Sequence, residues 1–174
     1  MDPSVIFDGE TLDACEALVA ACRASGVTVG TAESCTGGLV ASAITAIPGS
    51  SEAIRGGVVS YAIPVKHEVL GVSNGILDAP GVGAVSSECA AAMAEGARRV
   101  LGCDVAVSVT GIAGPGGEEP GKPVGTVWMG LATPTSTRTF PNLFEGNRGE
   151  VRARAVRRAL QLLAQGVRDA AEKD

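Results

Sequence analysis

The chain has 174 residues and a mass of 17.3 kDa, which predicts one domain with one sizeable hydrophobic core. Its formal net charge of -5 and pI near 4.9 argue against nucleic-acid binding, because cationic side chains supply most of that affinity. Hydrophobic residues make up 45% and aromatic residues 3%, so we expect a core of small aliphatic side chains. The arginine-rich run at 152–158 is the one basic feature, and we interpret it as the solvated face of a helix.

The five cysteines show no C-x-x-C pair, which is typical of reduced thiols in a cytoplasmic protein. The acidic start MDPSVIFDGE lacks the features of a signal peptide. No run reaches the roughly 18 to 20 apolar residues of a membrane span. We therefore expect a cytoplasmic protein whose partners include neither nucleic acid nor membrane.

Apolar spacing predicts a first helix over 10–25, ended by Gly26. The β-branched run VTVGTAE (27–33) predicts a strand, and GLVASAITA (38–46) predicts a helix that stops before Pro48. GGVVSYA (56–62) predicts the next strand. The stretch AESCTGG therefore lies where a strand passes into a helix.

In the second half, SSECAAAMAEGARRVLG (86–102) predicts a helix with Ser86 or Ser87 as N-cap and Gly102 as its end. DVAVSVT (104–110) predicts a strand that runs into a glycine-rich loop. The strands 126–133 and 137–144 follow in hairpin order, and Asn147 with Glu150 starts the last helix. This order predicts an α/β fold, a single-domain layered α/β structure with a mixed sheet flanked by helices.

Few residues are suited to chemistry. The only histidine, His67, cannot build a multi-histidine site, and no cysteine or carboxylate cluster has metal-ligand spacing, so we expect no metal. Ser34 lacks the glycines of a nucleophile elbow. GGEEPGKP resembles a phosphate-binding loop, but Pro123 replaces its Ser or Thr.

A serine with a lysine partner remains. Tyr61 and Lys66 follow a strand that is adjacent in order to the strand carrying Ser34, and a buried lysine can lose its proton and act as a base. The residues alone favour the simpler interpretation, a surface lysine and a core tyrosine. Cys35 is either a rival nucleophile or a small buried hydrophobe. The loop TGIAGPGG either cradles an anion or is a flexible turn.

Four segments together resemble the C-terminal domain family of CinA proteins, the nicotinamide-nucleotide amidases. They are AESCTGGLVAS, PGSSEAIRGGVVSY with Lys66, AVSVTGIAGPGG with KPVGTVWMGLA, and FEGNRGEVR. The resemblance covers residues 10–168 of a single domain spanning 1–174, and it implies the stand-alone form of the amidase.

The resemblance implies hydrolysis of the carboxamide of nicotinamide mononucleotide (NMN) to nicotinate mononucleotide and ammonia, without metal or cofactor. Ser34 would be the nucleophile, Lys66 its base and Tyr61 an orienting group, with Lys66 Nζ expected about 2.6 to 3.5 Å from Ser34 Oγ or joined to it through water or Tyr61. The residues expected to bind substrate are Thr36, Gly37, Gly38, Ser51, Thr110, Gly111 and Arg148. The amides of 36–38 would form the oxyanion hole or hold the phosphate, and Arg148 would pair with the phosphate.

One departure concerns the segment between Tyr61 and Lys66. Family members usually read Tyr-x-Asn-x-x-Lys, whereas Ile63 and Pro64 stand here. Two alternatives therefore stay open: a nucleotide-binding module that hydrolyses slowly or not at all, and a Ser-Lys amidase for another amide. We expect a homo-oligomer, in which the strand containing Trp128 belongs either to the core or to an interface.

Overall fold

The structure is a computed structural model that describes residues 6–172, in which five strands form one mixed sheet. The strands are β1 (Val29–Glu33), β2 (Ile54–Val59), β3 (Val105–Gly111), β4 (Thr126–Ala132) and β5 (Thr137–Leu143). They lie in the order β2-β1-β3-β4-β5. β1 is parallel to β2 and to β3, whereas β4 is antiparallel to β3 and to β5.

Helices cover both faces of this sheet. They are α1 (Gly9–Ser25), α2 (Leu39–Thr45), α3 (Ile63–Glu68), α4 (Asn74–Leu77), α5 (Ser87–Leu101) and α6 (Arg148–Ala171), with a 3-10 turn at Ser50–Glu52. α1, α2 and α6 pack together on one face, over the odd-numbered residues of β3. α5 packs on the other face with the segment around α4. No helix in residues 6–172 combines the length and apolarity needed to cross a bilayer.

Local signals set the ends of the long helices. The Asp8 carboxylate accepts from the amide of Thr11 at the start of α1, and Gly26 ends that helix in the left-handed region at φ 72°. Asn147 and Glu150 form the predicted capping box of α6. The predicted α/β architecture and mixed sheet are confirmed, as are the helices α1, α2, α5 and α6 and all five strands.

Two differences from prediction involve the segment between β1 and α5. The second strand begins two residues earlier than predicted and ends at Val59, so Ser60 and Tyr61 lie beyond it. The short helices α3 and α4 were not predicted. Pro64 lies in the first turn of α3, where its missing N–H costs no hydrogen bond.

The strand directions determine where a site can form. β1, β2, β3 and β5 all end at the same edge of the sheet, since β5 runs antiparallel to β4 and β4 antiparallel to β3. α6 also begins there, shortly after β5. Loops after these strands therefore converge at this carboxyl edge, which is where ligands bind in open α/β sheets.

Candidate active site

Ser34 lies at the carboxyl edge, one residue beyond β1. Its amide donates to Val109 O over 2.9 Å, and the Ser60 amide donates to Glu33 O over 2.8 Å. These bonds continue the sheet by one step on both sides, so Ser34 lies between Ser60 and Thr110. It is half-buried. The strands thus hold the backbone of the candidate nucleophile rigidly.

Glu33 organises the turn that follows Ser34. Its buried carboxylate accepts from the amides of Gly38, Val40 and Ala41 at 2.9 to 3.1 Å and from Thr31 Oγ1 at 3.1 Å. It therefore satisfies the first donors of α2 from outside the helix. The sequence placed a carboxylate here, but its burial and its role in the turn were not predicted.

The amides of Gly37 and Gly38 were expected to bind an oxyanion or a phosphate, and the structure shows them in another role. Gly37 and Gly38 have φ of 63° and 94°, a left-handed conformation that favours glycine. Their amides are engaged, by Ser34 O at 3.0 Å and by the Glu33 carboxylate at 3.0 Å respectively. In this structure they are not free to stabilise an oxyanion or a phosphate. The amide of Thr36 has no hydrogen-bond partner within residues 6–172.

Arg152 on α6 contacts the other side of the same turn. Its Nε donates to Cys35 O at 3.1 Å, and its Nη2 donates to Thr36 O at 3.0 Å. The side chain is partly buried. Interpreting 152–158 as a solvated face is therefore wrong at its first residue, because tertiary packing brings α6 against the turn.

Lys66 is buried at 1% exposure, which contradicts the simpler interpretation of a surface lysine. Its Nζ donates to Ser60 O at 2.5 Å. Burial lowers the pKa of Lys66, while the nearby groups Cys89 and Cys35 act in the opposite direction. A lowered pKa favours the neutral amine that a general base requires.

The direct contact expected between Lys66 and Ser34 is not formed in this structure. Lys66 Nζ has Ser60 O as its hydrogen-bond partner among the described residues, and no hydrogen bond joins it to Ser34 or Tyr61. Lys66 bonds Ser60 O instead because this carbonyl, one residue beyond β2, lies within reach of the lysine side chain on α3. Because Ser60 neighbours Ser34 across β1 and β2, the amine still lies near the candidate nucleophile.

Tyr61 pairs with Arg148 instead of with the lysine. Arg148 Nη2 donates to Tyr61 Oη at 3.4 Å, and Nη1 donates to Gly114 O at 2.9 Å. Tyr61 is 62% exposed, so the simpler interpretation of a core aromatic is wrong. Arg148 thus ties the end of β2 to the glycine-rich loop and leaves its other N–H groups for an anion.

Cys35 is buried and unsuited to nucleophilic attack. Burial raises its pKa to about 11, although the backbone of Cys35 and, when protonated, Lys66 partly oppose this shift. The thiol therefore keeps its proton at neutral pH. All five cysteines are free and buried, as expected of small hydrophobic residues.

The remaining predicted residues have different surroundings. Thr110 Oγ1 donates to Ala84 O at 2.6 Å, so its hydroxyl is engaged. A Cβ on Gly111 would lie 2.6 Å from Thr126 O, so close strand packing explains that glycine. Ser51 lies before β2, at the amino ends of the parallel strands. Within this chain, Ser51 does not join Ser34, because a loop before a parallel strand lies at the opposite edge.

A cleft of about 720 Å³ opens on the α5 face, beside β4 and β5. Its lining includes Trp128, Pro141, Lys122 and Ser86, and none of the sequence-predicted site residues. Thr110 pairs with Trp128 across β3 and β4, so β3 separates this cleft from Ser34. The cleft is therefore a neighbour of the candidate site and not part of it.

Sequence reasoning missed Glu33 and Arg152 as residues that shape the site. Arg152 follows Arg148 by four residues, a spacing that places both on one face of α6. That spacing was the available signal, because Arg148 was already a candidate. For Glu33, the signal was a carboxylate inside an apolar strand, which needs buried hydrogen-bond donors.

Comparisons with known proteins agree on one family. The family model described as the CinA C-terminal domain matches residues 12–167. A CinA-like protein of Geotalea uraniireducens (strain Rf4) is 50% identical over 145 residues, which cover 83% of this chain and 34% of the relative. A putative competence-damage inducible protein of Moorella thermoacetica is 42% identical over 161 residues, which cover 92% of this chain and 38% of the relative. The chain thus spans about a third of the curated relatives it matches.

Solved structures show the same fold. The competence/damage inducible protein CihA of Agrobacterium tumefaciens has a TM-score of 0.88 and 38% identity, covering 92% of this chain and 97% of that chain. A competence-damaged protein (CinA) superfamily protein from Escherichia coli has a TM-score of 0.85 and 37% identity, covering 92% of each chain.

Proposed function

The chain belongs to the CinA C-terminal domain family, and on that premise we propose that it hydrolyses the carboxamide of NMN to nicotinate mononucleotide and ammonia. The observation that carries the proposal is Lys66, a fully buried lysine beside the strand end that presents Ser34. Burying an amine without a carboxylate partner costs free energy. Lysines buried in this way, with a shifted pKa, are common at catalytic sites.

In the proposed first step, Ser34 Oγ attacks the carboxamide carbon and its proton passes to the neutral amine of Lys66. The tetrahedral intermediate then breaks its C–N bond. Lys66 returns the proton to the leaving nitrogen, so that ammonia departs and an acyl ester remains on Ser34.

In the second step, a water molecule attacks this ester while Lys66 accepts a proton from it. The ester bond breaks, Ser34 Oγ regains a proton, and the carboxylate product leaves. Every proton in both steps is exchanged between substrate, water, Ser34 and Lys66. The reaction therefore needs no redox partner.

Arg148 and Tyr61 are the proposed contacts for the mononucleotide. Both lie at the carboxyl edge, and Arg148 already bridges Tyr61 and the glycine-rich loop. A guanidinium matches phosphate oxygens with parallel N–H donors. We propose that the phosphate binds at Arg148 and that Tyr61 orients the substrate toward Ser34.

Two other functions remain as alternatives. A binding module of the same fold is favoured by the Lys66 Nζ contact with Ser60 O in place of Ser34, and by the exposed Ile63 where the family usually has asparagine. A Ser-Lys amidase acting on another amide would use the same residues with a different pocket.

The deciding experiment measures ammonia release from NMN, nicotinamide riboside and nicotinamide side by side. We expect NMN to be hydrolysed fastest, and Ser34→Ala to abolish turnover while NMN binding, measured by calorimetry, is retained. Cys35→Ala is the matched control, because it removes the neighbouring thiol. NMN binding without ammonia release would instead support the binding module, and activity lost only in Cys35→Ala would identify the thiol as nucleophile.

A further inference from the structure

Arg152 on α6 forms two hydrogen bonds to the turn that follows Ser34. Its guanidinium donates to two successive carbonyls, Cys35 O at 3.1 Å and Thr36 O at 3.0 Å. The contact spans more than 100 residues of sequence, since Cys35 and Arg152 are 117 residues apart. Packing of α6 on the sheet therefore controls the orientation of this turn.

That contact determines where the Thr36 amide points. The Cys35–Thr36 peptide bond is not among the cis bonds of the described chain, and in a trans peptide the C=O and N–H point in opposite directions. Because Cys35 O faces Arg152, the N–H of Thr36 points away from α6. Among residues 6–172 this N–H has no acceptor, and Thr36 Oγ1 is fully buried without a partner.

The two donors that follow Thr36 in the turn are already used. Gly37 N bonds Ser34 O, and Gly38 N bonds the Glu33 carboxylate. Within residues 6–172, Thr36 N and Cys35 N are the donors of the turn without a backbone or side-chain acceptor, and Thr36 N belongs to the peptide that Arg152 holds. Oxyanion holes are built from backbone N–H groups that are held in place before the reaction.

We propose that Arg152 is a positioning residue that holds the Cys35–Thr36 peptide with the Thr36 N–H directed at the developing oxyanion. The inference rests on the proposed function. When Ser34 Oγ bonds to the carboxamide carbon, the C=O pair moves onto oxygen, and the Thr36 N–H donates to that charge. Without Arg152, Cys35 O loses its donor, Thr36 O keeps only the Leu39 amide at 3.4 Å, and the peptide is held less firmly.

The test compares Arg152→Met and Arg152→Lys with Arg154→Met. Arg154 is an exposed residue of the same helix whose Nη1 donates to a backbone carbonyl, Glu145 O at 2.7 Å. Loss of an oxyanion donor costs about 100- to 1000-fold in kcat. Because Arg152 acts through the peptide, we expect Arg152→Met to lower kcat about 10- to 100-fold, with KM changed less than about threefold.

Arg152→Lys should recover only part of kcat, since an ammonium lacks the planar fork that reaches both carbonyls. The rate should rise with pH as Lys66 loses its proton. The pH at which this rise occurs should be the same in both Arg152 variants as in the wild-type protein, because Lys66 is unchanged. Wild-type kcat in Arg152→Met, an equal loss in Arg154→Met, or a loss confined to KM would overturn the inference. A loss explained by unfolding would appear as a reduced thermal midpoint.

A fluorophosphonate probe separates this inference from the proposed function. Ser34 Oγ bonds to phosphorus as fluoride leaves, the hydroxyl proton passes to Lys66, and a phosphoryl oxygen takes the place of the oxyanion. The wild-type protein could release no ammonia from NMN and still be phosphonylated at Ser34, in which case the proposed function fails. In that case, labelling about tenfold slower in Arg152→Met, but not in Arg154→Met, would support the role of Arg152 as a positioning residue. Absence of both ammonia release and Ser34 labelling would overturn both.

Discussion

Glu33→Gln tests how the turn after β1 is held. The two carboxylate oxygens each accept two hydrogen bonds, Oε1 from Thr31 Oγ1 and Ala41 N, and Oε2 from Gly38 N and Val40 N. Glutamine has the same shape but offers one oxygen and one NH₂ group. The NH₂ group would face one backbone N–H, that of Ala41, if it lies towards Thr31, whose hydroxyl can turn and accept; on the other side it would face two, those of Gly38 and Val40.

The magnitude follows from the one or two hydrogen bonds that are lost. Hydrogen bonds to a charged group contribute about 1.5 to 3 kcal/mol each, so we expect the free energy of unfolding to fall by about 1.5 to 6 kcal/mol. Glu33 is 1% exposed, so water does not replace the lost partners. For a domain of this size, each kcal/mol lowers the melting temperature by about 2 to 4 °C, which predicts a decrease of about 3 to 24 °C.

The assay is thermal and urea unfolding followed by circular dichroism. Thr31→Val removes one of the four bonds to the carboxylate, and it should cost about 1.5 to 3 kcal/mol. Glu95→Gln is the matched control, because Glu95 is exposed on α5. A melting temperature of Glu33→Gln within about 2 °C of the wild-type value, or equal to that of Glu95→Gln, would refute this account of the turn.

Three further predictions concern the site. The unfolding free energy should rise with pH from the lowered pKa of Lys66 up to its ordinary value of about 10.4, because the unfolded lysine holds its proton more tightly. Lys66→Met should lack this rise, and urea midpoints of the two proteins that stay parallel from pH 7 up to about 10.4 would contradict it. Arg148→Ala should raise KM for NMN more than it lowers kcat, since it removes the proposed phosphate contact. Nicotinamide riboside, which lacks that phosphate, is the control substrate, and its KM and kcat should change little. Cys35→Ala should keep turnover within about threefold, because burial raises the thiol pKa to about 11; inactivation of the wild-type protein by iodoacetamide at pH 7.5, absent in Cys35→Ala, would contradict this.

Much of the fold could be predicted because its signals are local. The N-cap of α6 at Asn147 and the glycine that ends α1 at Gly26 lie within a few residues of the structures they determine. The β-branched runs of β1 and β3 likewise reveal buried strands. The short helices α3 and α4 escaped prediction, because a helix of four to six residues has too few positions to show a period.

For the candidate site, the residue types could likewise be predicted from the sequence, whereas their contacts could not. The sequence alone supplied Ser34, Tyr61, Lys66 and Arg148 as residue types in a recognisable order, and its strand order placed two of the strand ends side by side. Only the tertiary structure decided that Lys66 is buried against Ser60 O, and that Ser51 lies at the opposite edge. It also brought Arg152 to the turn after Ser34. These facts depend on contacts between residues far apart in the chain, and no local pattern encodes such distances or the burial that shifts a pKa.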